Sequence, residues 1–205
     1  MTERKIVLFG GTFDPVHLGH TCVAACTAEF IGAEKVVFIP AKRSPLKNLF
    51  PKAGDNDRLN MIALAIADNK NLQLSDCELK KPGPGYTLET VRCLQAEYGS
   101  STSIYWLVGA DSIDELPYWY GITSLIDECN LSVMCRAGYP FPDFAEFKPL
   151  WGVSRVEKLQ QCVIETPLIE ISSTEIRNRI AAGGDVSGML HPAVAEYVRE
   201  HNLYK

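Results

Sequence analysis

At 205 residues, with 46% hydrophobic and 22% charged side chains, the chain has room for one domain with a full core, and its composition excludes a disordered, collagenous or low-complexity polymer. Twenty Lys and Arg against 25 Asp and Glu leave a net charge of −5. That balance argues against broad nucleic-acid binding, which needs a positive face to displace counterions from phosphates, so any phosphate must be handled locally.

The longest apolar run, Met61 to Ala67, is seven residues. A membrane span needs roughly 18, so none is expected. The start, Met1-Thr2-Glu3-Arg4-Lys5, is followed by only four apolar residues before Gly10-Gly11, too few for a signal-peptide core. Cysteines at 22, 26, 77, 93, 129, 135 and 162 are odd in number and form no C-x-x-C pair, which suits a reducing compartment. The expected location is the cytoplasm.

Short β-rich runs alternate with segments of helical period, the pattern of a parallel sheet covered by helices. Strands are predicted at Ile6 to Phe9, Val36 to Ile39, Leu72 to Ser75, Ile104 to Val108, Leu131 to Cys135 and Leu168 to Ile171. Between them, Val23, Cys26, Thr27, Phe30 and Ile31 repeat at helical spacing, as do Leu59, Ile62, Ala63 and Ile66. Further stripes run through Leu88, Val91 and Leu94, through Ile122, Leu125 and Ile126, and through Ile176 to Ile180 before Gly183-Gly184. A last helix is predicted near Ala193 to His201. The Pro- and Gly-bearing stretch Arg136 to Thr166 reads as a surface excursion on a single domain, 1–205.

In open parallel sheets ligands bind beyond the carboxyl ends of the strands. The first such loop runs Gly10-Gly11-Thr12-Phe13-Asp14-Pro15-Val16-His17-Leu18-Gly19-His20. Paired glycines let backbone N–H groups approach an anion, the following helix presents its positive end, and two imidazoles three apart can face one ligand. The spacing matches neither G-x-G-x-x-G nor a Walker loop. After the second strand, residues 41–54 carry Lys42, Arg43, Lys47 and Lys52; this run is either a solvated face or a cationic loop closing over phosphates. Ile171-Ser172-Ser173-Thr174-Glu175-Ile176-Arg177 follows the last predicted strand, with Ser172 and Glu175 at capping-box spacing and Arg177 one turn inside, within reach of a phosphate. Strand four ends at Gly109-Ala110-Asp111, where an acid can accept ribose hydroxyls, and Trp119 offers either a stacking face or core packing.

In order along the chain these motifs resemble the nicotinate-nucleotide adenylyltransferase family within the H-x-G-H nucleotidyltransferases. The likeness runs from Gly10 to Tyr204. The glycine–histidine loop and Ile-Ser-Ser-Thr-Glu-Ile-Arg carry it at superfamily level; Gly109-Ala110-Asp111-Ser112, Leu116-Pro117-x-Trp119, Tyr86-Thr87-Leu88-x-Thr90 and the tail Tyr197-Val198 with His201-Asn202-Leu203-Tyr204 carry it to this member. Where the family commonly has Pro-Pro-His-Lys this chain has Ser44-Pro45-Leu46-Lys47, and Gly85 precedes Tyr86-Thr87 where Ser is common.

The resemblance implies a doubly wound α/β parallel sheet, Rossmann-like, and adenylyl transfer from ATP to nicotinate mononucleotide with release of pyrophosphate. It further implies that His17 and His20 stabilise phosphate charge, that Lys47, Ser173, Thr174 and Arg177 hold the triphosphate, and that Gly11, Thr12 and Phe13 line the nucleotide cleft. Asp111 would bind sugar, and Thr87 and Trp119 the pyridine. Mg²⁺ would ride on the ATP phosphates, since the sequence offers no carboxylate cage for a metal. The partners expected are ATP and the mononucleotide, with no nucleic acid and no membrane; a homo-oligomer is left open. Alternatives are another acceptor, nicotinamide mononucleotide or pantetheine phosphate, a silent nucleotide sensor, or a zinc module on His17, His20, Cys22 and Cys26.

Overall fold

The computed structural model describes residues 3–42, 50–136, 138 and 140–205. In chain order the elements are β1 (Arg4–Gly11), α1 (Leu18–Ile31), β2 (Lys35–Pro40), α2 (Asp55–Ile66), β3 (Leu72–Leu74), the single turn α3 (Cys77–Lys80), α4 (Thr87–Tyr98) and β4 (Thr102–Gly109). A 3-10 segment, Ala110–Tyr118, leads to α5 (Ile122–Glu128) and β5 (Asn130–Arg136). A 3-10 turn at Ala145–Phe147 runs into α6 (Lys148–Trp151), then α7 (Val153–Gln161), β6 (Val163–Thr166), α8 (Ser173–Ala181) and α9 (Pro192–Glu200).

The strand order is β3-β2-β1-β4-β5-β6, the doubly wound arrangement that alternating β and helical segments predict. Ile6, Val7 and Leu8, and likewise Val36, Phe38 and Ile39, are wholly buried, as strands covered on both faces must be. β1 pairs in parallel with β4, Ile6 opposite Ile104 and Phe9 opposite Leu107. The winding reverses at these two strands, so their carboxyl ends are where a doubly wound sheet takes its ligand.

Contacts divide the chain into two compact units. The first comprises Met1–Gly10, Cys26–Val36 and Tyr86–Leu168. Its sheet portion continues from β4 to β5, Val108 opposite Val133, and from β5 to β6, Val133 opposite Val163. Leu88, Val91 and Leu94 of α4, Leu125 and Ile126 of α5, and Val156 and Leu159 of α7 are the buried stripes of its helices. Exposed Cys93 lies on α4, while burial pushes the Cys129 thiol up to about 12.

The second unit comprises Gly11–Ala25, Val37–Gly85 and Ile169–Lys205. Phe13, Phe38, Met61, Ile62, Ile176, Val194 and Val198 are buried in it. Tyr197 of α9 donates to Asp57 Oδ1 at 2.8 Å and accepts from Asn60 Nδ2 at 3.0 Å, joining α9 to α2. Exposed Cys22 lies on its part of α1.

Two expectations are corrected. The sixth strand is Val163–Thr166, with residues 167–172 irregular. Pro167 offers no N–H for a ladder, and Leu168 beyond it is half exposed, whereas Ile164 and Thr166 are buried. The stretch Arg136 to Thr166 is part of the core rather than a surface excursion: Phe144, Phe147 and Trp151 are buried, and Phe147 stacks on Trp151 with ring centroids 4.4 Å apart. Pro149 sits in the first turn of α6, where its missing N–H leaves no helical bond broken. Among the described residues no helix is long and apolar enough to cross a membrane.

Candidate active site

The second unit holds both superfamily motifs. His17 is buried at the entry to α1, and its ring stacks on that of His20 at 3.7 Å between centroids. The backbone N–H of His17 donates to His20 Nδ1 at 3.2 Å. A neutral imidazole that accepts at Nδ1 carries its proton on Nε2, so His20 offers Nε2–H as a donor. Burial lowers the pKa of His17 to about 4; burial first, and His17 second, hold His20 well below the ordinary histidine value. Both rings are therefore neutral at pH 7. His17 Nδ1 is buried with no hydrogen-bond partner among the described residues.

These shifts have a consequence for stability. The unfolded chain protonates His17 near pH 6.5, while the folded chain does so only near pH 4, so between those values the unfolded state binds more protons. Stability is full above pH 6.5 and declines as pH falls toward 4, by about 3 kcal/mol from this residue, and His20 acts in the same direction. His17→Asn should flatten that slope. Urea unfolding of both proteins at pH 7 and 4.5 measures it, and parallel losses would contradict the assignment.

Phe13 supports the histidines. It is buried edge-on against His20, centroids 5.0 Å apart, and against Phe38 at 5.4 Å. Its φ of 49° lies in the left-handed region, a costly conformation for a bulky residue that persists only where surroundings enforce it. A Cβ on Gly11 would stand 2.8 Å from Phe13 Cζ, and one on Gly10 would enter the Trp106 ring. The paired glycines thus make room for two aromatic rings, a different reason from the anion approach that the sequence suggests.

Asp14 is a buried hub. Its Oδ2 accepts from Lys52 N at 2.7 Å and its Oδ1 from Ala53 N at 3.0 Å and from the Tyr204 hydroxyl at 2.7 Å. Arg177 Nη1 donates to the Asp14 carbonyl at 2.7 Å and Nη2 to Thr174 Oγ1 at 3.1 Å. Ser173 Oγ donates to the Pro15 carbonyl at 2.9 Å. Ser172 caps α8 by accepting from Glu175 N at 3.1 Å. The reciprocal half of the capping box is absent from this end, because Glu175 Oε1 takes the Arg179 guanidinium at 2.6 Å.

Arg58, in the first turn of α2, is wholly buried. Its Nη1 donates to the carbonyls of Thr12 and Ala41, both at 2.8 Å, and its Nη2 to Asp55 Oδ1 at 2.6 Å. One guanidinium therefore ties the glycine loop to the segment that leaves β2. Lys47, and with it Ser44-Pro45-Leu46, lies outside the described residues.

The predicted pyridine and sugar residues belong to the first unit. Thr87 opens α4, whose N-cap residue Tyr86 makes no side-chain cap. Tyr86 packs against Tyr120 at 4.5 Å between ring centroids. Asp111 is exposed just beyond β4, with its carboxylate lying over Gly109. Trp119 is half-buried at the end of the 3-10 segment.

His17, His20, Ser173, Thr174 and Arg177, far apart in the sequence, all lie in the second unit. The Phe13 ring itself is buried edge-on against His20. Asp14, Arg58 and Tyr204 were missed. Asp14 stands inside the quoted motif; Arg58 carries no signal, since Asp55-Asn56-Asp57-Arg58 reads as a solvated turn; Tyr204 lies 190 residues from its partner.

The profile of the cytidylyltransferase-like family matches residues 8–179. A protein of Synechococcus sp. strain JA-3-3Ab named nicotinate-nucleotide adenylyltransferase is 37% identical over 204 residues, covering 98% of this chain and 95% of its own. The chain belongs to the nicotinate-nucleotide adenylyltransferase family. A member from Neisseria meningitidis strain FAM18 is likewise 37% identical, over 98% of this chain and 99% of its own. The fold of the family is shared with Plasmodium falciparum nicotinic acid mononucleotide adenylyltransferase, solved in complex with NaAD, at a TM-score of 0.75 and 19% identity over 98% of this chain and 97% of that one. Its complex with APC superposes with a TM-score of 0.72 at 18% identity over the same shares.

Proposed function

We propose that this protein, a single domain over 1–205, transfers the adenylyl group of ATP to nicotinate mononucleotide, forming nicotinate adenine dinucleotide and pyrophosphate. Family membership supports the reaction. The observation that carries the site is the stacked pair of neutral imidazoles at the start of α1, with His20 Nε2–H as a fixed donor.

A phosphate oxygen of the mononucleotide attacks the α-phosphorus of ATP, the bond from that phosphorus to the bridging oxygen breaks, and pyrophosphate leaves. No protein nucleophile is needed; alignment and charge stabilisation carry the chemistry. His20 donates to the phosphate oxygens as charge grows on them, and His17 supplies a second, buried imidazole. Arg177, already oriented by the Asp14 carbonyl and Thr174, grips the triphosphate together with Ser173, Thr174 and Lys47. Gly11 and Thr12 shape the nucleotide edge, and Phe13 acts from beneath through His20. Asp111 takes the sugar, and Thr87 and Trp119 the pyridine.

Among the described residues no three His, Cys, Asp or Glu side chains are grouped to hold a metal ion. Asp14, the buried acid of the loop, is already committed to three donors. This donor set fits Mg²⁺ carried by the phosphates, where it neutralises charge, and disfavours the zinc module, since Cys22 is exposed beyond the helix start. The odd cysteine count without a C-x-x-C pair supports a cytoplasmic location.

Pyrophosphate release from ATP and Mg²⁺ with nicotinate mononucleotide, nicotinamide mononucleotide and pantetheine phosphate tests the reading. The acid should win. The positive end of α4, where Tyr86 supplies no side-chain cap, favours a carboxylate over a neutral amide by roughly 0.3 to 2 kcal/mol, or about 2- to 30-fold in kcat/KM. Equal use of the amide overturns the pocket assignment; release with pantetheine phosphate alone overturns the function.

A further inference from the structure

The end of the chain reaches the first loop. After α9 the backbone passes through Asn202 at φ 53° and Tyr204 at φ 65°. Asn visits this left-handed region readily, but a tyrosine does so only where its surroundings hold it. What holds Tyr204 is its phenol, which donates to Asp14 Oδ1 at 2.7 Å. Burial first, and then that hydrogen bond, raise the phenol's pKa, so it remains a donor throughout the working pH range.

Asp14 uses its two oxygens in different directions, Oδ2 toward Lys52 N and Oδ1 toward Ala53 N and Tyr204. Arg177 Nη1 stands 4.0 Å from Oδ2, too far for a charged hydrogen bond, and donates instead to the Asp14 carbonyl. A carboxylate and a guanidinium this close would close into a tight fork if the carboxylate could turn. With the phenol removed, Oδ1 keeps only Ala53 N of these donors, and the turn is open.

Resting on the reading that Arg177 holds the ATP phosphates, we propose that Tyr204 is a positioning residue: its phenol keeps the Asp14 carboxylate from pairing with Arg177, and so keeps the guanidinium available to phosphate. Among the described residues no hydrogen bond or ring contact joins Tyr204 to the histidines. The phenol acts through Asp14 on one cation.

Tyr204→Phe keeps the ring and removes the donor. Its KM for ATP should rise about 5- to 20-fold, with kcat within about threefold of wild type. The Kd for ATP, measured by calorimetry without an acceptor, should weaken by the same factor. Because the effect passes through Arg177, adding Tyr204→Phe to Arg177→Lys should cost little beyond Arg177→Lys alone. A wild-type Kd in Tyr204→Phe, or losses that multiply in the double variant, overturn the proposal. So does a fall in kcat and Tm without a change in ATP affinity, which would make Tyr204 a packing residue. The binding measurement stands apart from turnover: a wild-type chain that binds ATP but makes no dinucleotide overturns the proposed reaction, while the Tyr204 comparison is still read from Kd.

Discussion

His20→Ala should lower kcat by about 10² to 10³ while the protein keeps its fold, because in the proposed mechanism the lost group is the donor that meets the growing phosphate charge. The fold should survive because the contacts described for His20, with the His17 N–H, the stacked His17 ring and the Phe13 edge, all lie within one loop and helix start. His20→Gln, which retains a side-chain N–H but not the ring, should recover part of the rate. Turnover and Tm measured on the same preparations separate the effects. Activity of the alanine variant within a few-fold of wild type would remove His20 from the chemistry.

Arg58→Met has the opposite signature, with a loss of about 3 kcal/mol in stability. Met fills much of the volume, so the loss reports on hydrogen bonds: the carbonyls of Thr12 and Ala41 each lose a charged donor, at about 1.5 to 3 kcal/mol apiece, partly offset by not burying a guanidinium. Asp55 keeps its solvation, because its side chain is half exposed, so no unpaired buried charge is created. For a chain of this size the change corresponds to a fall of about 6 to 12 °C in Tm. Urea unfolding measures it directly. A loss under about 1 kcal/mol would mean that the two carbonyls find other donors and that the guanidinium holds nothing in place.

These two residues mark what a sequence can disclose. His20 is legible because its position follows from local order: a buried strand, two small residues, a turn and a helix start, all within the fifteen residues from Ile6 to His20. β1, β2 and β4 are legible for a similar reason, their runs being continuously apolar as two-sided burial demands, and β5 nearly so with Ser132 alone interrupting it. β6 escapes because Val163-Ile164-Glu165-Thr166 alternates over only four residues, while the neighbouring Leu168 to Ile171 looks more apolar although Leu168 is half exposed and Ile169 and Ile171 are only partly buried. The buried region around Phe144 and Trp151 escapes because its prolines suggest a loop, though Pro149 begins a helix. Arg58 escapes for a deeper reason. Nothing local distinguishes a guanidinium that solvent covers from one that two carbonyls of other segments will take up.

Asp14 and Tyr204 show the same limit across the whole chain. Each is visible as a member of a motif, but the bond between them is a tertiary fact. Phe13 is visible as a motif member too, but nothing in that position shows that its ring packs edge-on against His20 from a left-handed backbone.

The distribution of thiols gives each compact unit its own chemical reporter. Cys22 is exposed in one unit and Cys93 in the other, Cys26, Cys77 and Cys162 are half-buried, and Cys129 is buried with a weakly acidic thiol. Because access helps set the rate of alkylation, a maleimide should reach Cys22 and Cys93 ahead of the others. Peptide-resolved labelling of these two thiols, with and without nucleotide, then reports on each unit by itself in the natural sequence.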